Sequence, residues 1–324
     1  MSESIRSIQP KLIIHGGAGS SLKGKDGLAS VRQALHTIVA QVYESLLGGK
    51  TATEAVVLGC QLLENNPRFN AGTGSVLQSD GNIRMSASLM DGQKQSFSGV
   101  INVAQVKNPI EIARFLQSQD DRVLSDYGSI QLARELQIPL HDPLTELRLQ
   151  EWLAEREGNF NSKMAGVVAE NNNNDRQQGD NARRGTIGVV ALDQYGNLSA
   201  GTSTGGKGLE RVGRVSDSAM PAGNYANKFA GVSCTGIGED IIDECLAAKI
   251  VIRVSDGMSL QEAMQKSMEE AKNNQRDLGA IAVDHQGNIV FGKTSEVLLS
   301  AYHNGESIDD CLEWHDQGSL ISIA

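Results

Sequence analysis

Thr186 follows Gly185 where a polar stretch gives way to an apolar one, in RGTIGVVALDQYGNLSAGTSTGG (184–206). A threonine hydroxyl is a weak nucleophile until a base takes its proton, and the threonine's own α-amino group is one such base. That amine titrates at about 7.7–8.0 in reference compounds, against about 10.4 for lysine, so part of it is unprotonated at neutral pH. The chemistry needs a free amino terminus, and therefore a cut between Gly185 and Thr186. Glycine suits the residue before the cut, because it tolerates a strained backbone that turns its carbonyl toward the Thr186 hydroxyl. On the dipeptide alone, Gly-Thr is equally an ordinary strand opening.

The stretch before the pair, Gly158 to Arg184, carries NNNN at 171–174 and then mostly charged and amide residues. It has too few large apolar side chains to offset the entropy of ordering, so a mobile linker over about 158–185 is expected. Structureless loops of this length are uncommon inside compact domains and are usually functional or linkers.

The pair sits among further motifs: GTIGVVALD with GNLSAGTSTGG, GRVSDS (213–218), SCTGIGE (233–239), IIHGGAG (13–19), NPRFNAGTGS (66–75) and ASLMDG (87–92). Together, and in this order, they resemble the plant-type asparaginases, also called isoaspartyl peptidases, which are N-terminal nucleophile hydrolases. The likeness spans nearly the whole chain except the linker. It implies a single α+β domain, a four-layer αββα sandwich, autoprocessed into 1–185 and 186–324. It implies Thr186 as nucleophile, Thr204 as its hydroxyl neighbour, and Asn70, Thr235 and the Gly236 backbone around the oxyanion. Arg214 and Asp217 would hold the α-carboxylate and α-ammonium of the substrate, with Gly236 and Gly238 leaving room for that end. L-asparagine and β-aspartyl dipeptides are the implied substrates, and a homodimer of cleaved units, α2β2, the implied assembly. Carbonyl oxygens of Leu63, Glu64, Asn66, Phe69, Ala71 and Thr73 are implied to wrap a structural sodium ion, a hard cation suited to such ligands. Relatives usually carry aspartate where this chain has Ser86, which puts a local buried hydrogen bond or charge pair in question.

Composition narrows the alternatives. The formal net charge is -10, and no basic stripe suggests a nucleic-acid partner. Cys60, Cys234, Cys245 and Cys311 are widely spaced with no CxxC, which suggests neither a zinc site nor a disulfide framework. The first ten residues lack an apolar signal core and no run of about 18 apolar residues occurs, so a cytoplasmic protein without a membrane partner is expected. Two GxxxxGK spacings, from Gly19 and from Gly201, lack the following Ser or Thr that would bind magnesium. His15 in the glycine turn reads as a core imidazole, and no Ser-His-Asp set emerges.

The elements that must position these residues are partly visible. Residues 28–48 and 52–65 have helical spacing, the second opened by a Thr51/Glu54 capping box. Strands are expected at 11–15, 82–89 and 96–105, the latter two joined at Asp91-Gly92. Helices follow at 108–118, 125–136 and 143–157. Hairpins at 187–193/197–204 and 279–284/288–292 flank helices at 239–254 and 260–273, with the second hairpin closing the fold. Two other accounts fit the same residues. One is an uncleaved scaffold; the other is a related hydrolase with a different acyl or leaving group, such as a glycosylated asparagine or a γ-glutamyl amide.

Overall fold

The computed structural model describes residues 8–19, 27–158, 185–314 and 319–323. The linker expected over about 158–185 therefore lies almost wholly outside the described residues, as does the GxxxxGK spacing that begins at Gly19. At the other spacing, Gly201 is a buried strand residue: a Cβ there would stand 2.5 Å from Val56 and 3.2 Å from Cys60. It allows helix-to-sheet packing and cradles nothing.

Strand β1 (Lys11–Gly19) leads to helices α1 (Gly27–Leu47) and α2 (Ala52–Glu64). The expected capping box is complete: Thr51 Oγ1 accepts from Glu54 N–H, and Glu54 accepts from Thr51 N–H. β2 (Met85–Asp91) and β3 (Ser96–Val103) form an antiparallel pair. Their turn runs later than expected because β2 continues through Asp91, whose Oδ1 accepts from the Gln93 and Lys94 amides. α3 (Pro109–Leu116), β4 (Val123–Ser125), α4 (Asp126–Glu135) and α5 (Glu146–Glu157) complete the first part.

Beyond the linker come β5 (Ile187–Leu192) and β6 (Leu198–Thr204), then β7 (Asn224–Ala226) and β8 (Ala230–Gly236). The helix expected over 239–254 is broken into α6 (Gly238–Glu244) and α7 (Leu246–Ser255), with Cys245 between them at φ 46°. Helical periodicity cannot show a single left-handed residue. α8 (Leu260–Asn273) is capped by Ser259 with Glu262 and leads to β9 (Leu278–Asp284) and β10 (Ile289–Lys293). That hairpin does not close the fold. β11 (Val297–His303), β12 (Ile308–Asp310) and β13 (Ser319–Ile323) follow.

The strands form two sheets, ordered β12-β11-β1-β5-β6-β2-β3-β4 and β13-β10-β9-β8-β7. Side chains alternate between two environments along each central strand, as the period of a strand requires. From β5, Ile187, Val189 and Ala191 join a core with α1, α2 and α3, while Val190 and Leu192 meet Ile281, Val283 and Phe291 of the second sheet. From β9, Leu278, Ala280 and Ala282 turn instead to a third core with α6, α7 and α8. Every residue of β5, β6 and β9 is buried, which explains their near-continuous apolar or small-residue sequence. The result is a mixed α/β structure with Thr186 at the head of a central strand.

Candidate active site

Thr186 is buried and immediately precedes β5, between β1 and β6. The β5/β6 ladder pairs Ile187 with Ser203, so the same register continued by one residue sets Thr186 opposite Thr204. The glycine turn of β1 packs against the peptide before it. A Cβ on Gly185 would stand 2.5 Å from Ala18 N, Gly17 Cα and Thr235 Oγ1 alike. Thr235, from β8 of the other sheet, also accepts a hydrogen bond from Ala18 N–H at 3.1 Å. Gly185, Thr186 and Thr235 are thus brought together by both sheets.

On the other side, Gly206 N–H donates to Thr204 Oγ1 (3.1 Å), and Asn70 Nδ2 donates to Gly206 O (2.6 Å). Asn70 Oδ1 accepts from Val76 N–H at 3.0 Å. Asn70 and Thr204 therefore share one peptide residue as their link. The Thr186 hydroxyl itself lies 3.4 Å from Ser218 Oγ, a neighbour that sequence reasoning did not assign although GRVSDS contains it.

Arg214 and Asp217 also converge. A Cβ on Gly238 would stand 2.6 Å from an Arg214 terminal nitrogen and 2.7 Å from Asp217 Oδ1. Burial pushes Asp217 up to about 7, with the Arg214 charge pulling the other way. Arg214 is held by a residue the sequence reading missed. Its Nε and one terminal nitrogen donate to the two Glu239 carboxylate oxygens at 2.8 and 3.1 Å; burial pushes Glu239 up, but the Arg214 hydrogen bonds and charge outweigh it and lower Glu239 to about 2. The only signal was an acid at the end of SCTGIGE, 25 residues from its partner. Gly236, at φ 130°, passes so close to Asp277 and Leu278 that a Cβ would lie 2.6 Å from each.

His15 is fully buried, with Nε2 2.8 Å from Ser233 Oγ, which in turn lies 2.8 Å from Thr202 Oγ1. Burial lowers it to about 3, so it is a neutral core imidazole. Ser86 replaces the expected carboxylate with a hydroxyl that accepts from Asn102 N–H at 3.2 Å, at a shift in the β2/β3 register.

The segment from Leu63 to Gly74 folds back on itself. The carbonyls of Leu63, Glu64 and Asn66 accept from the amides of Asn66, Thr73 and Phe69. A Cβ on Gly72 would collide with the Glu64 carbonyl, and one on Gly74 would stand 2.5 Å from Pro67 O and 3.0 Å from Phe69 O. The Glu64 carbonyl lines the space beside Gly72, and the Pro67 and Phe69 carbonyls line that beside Gly74. Glu64 itself is fully buried, pushed up to about 8 by burial, and its carboxylate accepts from Ile110 N–H, Ser203 Oγ and Asn108 Nδ2. Among the described residues no group of three or more His, Cys, Asp or Glu side chains could hold a metal. No described helix is long and apolar enough to cross a membrane.

Comparison with known proteins bears on this arrangement. The chain is 68% identical over 306 residues to an isoaspartyl peptidase/L-asparaginase of Nostoc sp., covering 94% of this chain and 95% of that one. It is 67% identical over 307 residues to one of Synechocystis sp., covering 95% and 92%. Against that of Mus musculus the identity is 34% over 309 residues, covering 93% and 91%. The Asparaginase family profile (Asparaginase_2) matches residues 8–313, and the chain belongs to that family.

Proposed function

We propose that the chain cuts itself between Gly185 and Thr186 and then hydrolyses L-asparagine and β-aspartyl dipeptides through an ester on Thr186. The observation that carries this reading is the convergence around Thr186 of Gly185, Thr204, Ser218 and Thr235, beside Arg214 and the buried Asp217. Identity of 67–68% to isoaspartyl peptidase/L-asparaginases over nearly the full chain supports the substrate class. In the self-cut, Thr186 Oγ gives up its proton and bonds to the Gly185 carbonyl carbon, the C–N bond breaks and the Thr186 nitrogen takes up the proton as a free amine. Water then hydrolyses the ester to leave the Gly185 carboxylate and the Thr186 hydroxyl.

In turnover that amine takes the Oγ proton as Oγ attacks the substrate's side-chain carbonyl, and passes it to the departing ammonia or amino acid. Asn70 Nδ2 and the Thr235 hydroxyl are the donors for the oxyanion, where one such bond is worth about 2.7–4 kcal/mol. Water, deprotonated by the same amine, then releases L-aspartate. Glu239 engages two of Arg214's five N–H groups and so fixes the plane of the guanidinium. The rest are directed to the substrate α-carboxylate, and Asp217 takes the α-ammonium.

The three apolar cores support the four-layer αββα architecture. Family resemblance further points to an α2β2 assembly in the cytoplasm. The Leu63–Gly74 segment fits a carbonyl-bound sodium held by Leu63, Glu64, Asn66, Phe69, Ala71 and Thr73. When bound, the ion supplies charge that keeps those dipoles together, and the fold holds Asn70 in place. Replacing sodium by choline at equal ionic strength lowers the thermal midpoint by a few degrees, reversed by sodium chloride; identical midpoints in both salts would remove the ion from the account.

Two measurements test the activity. Aspartate release from L-asparagine and β-aspartyl dipeptides is expected, with at least tenfold lower kcat/KM for glycosylated asparagine and γ-glutamyl amides, beyond which one methylene alone discriminates by about 10–200-fold. Equal or better rates on the latter substrates would move the assignment to another hydrolase class. KM carries the second test. Asp217 loses its charge as pH falls through about 7, so KM for L-asparagine rises below that pH, by up to about tenfold per unit. Asp217→Asn gives a high KM that is flat between pH 6 and 8, and a flat wild-type KM would take the ammonium away from Asp217.

A further inference from the structure

The short loop after β6 carries a buried acid that the mechanism does not use. Gly206 lies in that loop and links Thr204 to Asn70, through its N–H and its carbonyl respectively. The loop is tightly wound: φ is 93° at Gly206, 82° at Gly208 and 57° at Leu209. A non-glycine residue held in the left-handed region persists only where its surroundings enforce it. At the far end, Leu209 N–H donates to Leu77 O (2.8 Å) and Ser79 N–H to Glu210 O (3.1 Å). The near end, with Gly206, has a different support.

Glu210 is 3% exposed, and its carboxylate folds back over the loop. A Cβ on Gly206 would collide with Glu210 Oε1. The backbone amides of Lys207 and of Glu210 itself face the carboxylate, as do the charges of Lys207 and Arg214. Arg214 is in turn shared with Glu239 and Asp217. Burial still pushes the Glu210 carboxyl above its ordinary range, and Oε2 has no hydrogen-bond partner among the described residues. A buried carboxylate with an unused oxygen is costly, so packing alone does not account for it.

We infer that Glu210 is a positioning residue for the hydrolysis: its carboxylate fixes the Gly206 peptide, and through that peptide the oxyanion donor Asn70 and the hydroxyl of Thr204. The assignment rests on the Thr186 reading above. It concerns a residue that acts through others and touches no reacting atom.

The test measures kcat and KM for L-asparagine, normalised to the cleaved fraction, for Glu210→Ala, Glu210→Gln and Glu210→Asp, with and without Asn70→Ala. Glu210→Ala is expected to lower kcat about tenfold or more with KM within about twofold. Glu210→Gln, which keeps the volume and an acceptor oxygen, stays within about threefold of wild type, whereas Glu210→Asp, one methylene too short, falls with the alanine variant. In the Asn70→Ala background, Glu210→Ala costs clearly less than it does in wild type, because the part of its effect that runs through Asn70 is already lost and only the part through Thr204 remains. Should Glu210→Ala not fold, the contrast between Asp and Gln carries the test.

A full multiplicative loss in the Asn70→Ala background would overturn the inference, as would a raised KM at unchanged kcat or a glutamine variant as poor as alanine. A wild type that hydrolyses nothing would be a failure of the Thr186 reading. An active wild type with those variant results would overturn the Glu210 assignment alone.

Discussion

No side chain fits where the β1 turn meets the peptide before Thr186. Gly17 and Gly185 pass so closely that a Cβ on Gly17 would stand 2.8 Å from Gly185 N, and the Thr235 hydroxyl closes the same space from the second sheet. Within one sheet, β1 and the chain entering β5 can bring their backbones this near only where both lack side chains. The contact therefore sets how closely the β1 turn approaches the Gly185 peptide, with Thr235 of the second sheet against both. It also fixes what can surround Thr186: a hydroxyl from β6, one from β8 and one from Ser218.

The same topology keeps the molecule whole through a cut. In the first sheet β1 lies between β11 and β5, and β6 pairs with β2. Strands from before and after Gly185 are interleaved, so two fragments would remain joined by the β1/β5, β1/β11 and β2/β6 ladders and by the core beneath them. Charge is arranged around this frame with equal economy of partners. Arg214 faces Glu239, Asp217 and Glu210, and burial keeps Asp217 and Glu210 above their ordinary range while Glu239, half in solvent, stays ionised. A polarised pocket follows, with one cation fixed in orientation and one acid whose charge depends on pH near neutrality.

Local signals in the chain announced much of this. The capping boxes at Thr51/Glu54 and Ser259/Glu262 and the DQYGN turn each carry their geometry in a few adjacent residues. The mixture of paired strands and helices was legible because strand pairs precede helix pairs in both halves. β8 was not, because AGVSCTG is buried over nearly its whole length and alternates nothing; nor were β11 and β13, whose partners lie in β1 and β10, outside their own local sequence. Motif resemblance singled out Thr186, Thr204, Asn70, Thr235, Arg214 and Asp217 as candidates. It did not reach Ser218, Glu239 or Glu210, whose meaning comes from contacts formed only when distant segments fold together.

The central claim is that the amino group of Thr186 becomes free. Intact mass under denaturing conditions, on fresh protein and again after a day's incubation, alongside Thr186→Ala, tests it most directly. Two fragments meeting between Gly185 and Thr186 in the wild type, with a single uncut chain in the variant, are the expected result. A wild type that stays one chain throughout would leave Thr186 without its base and contradict the mechanism.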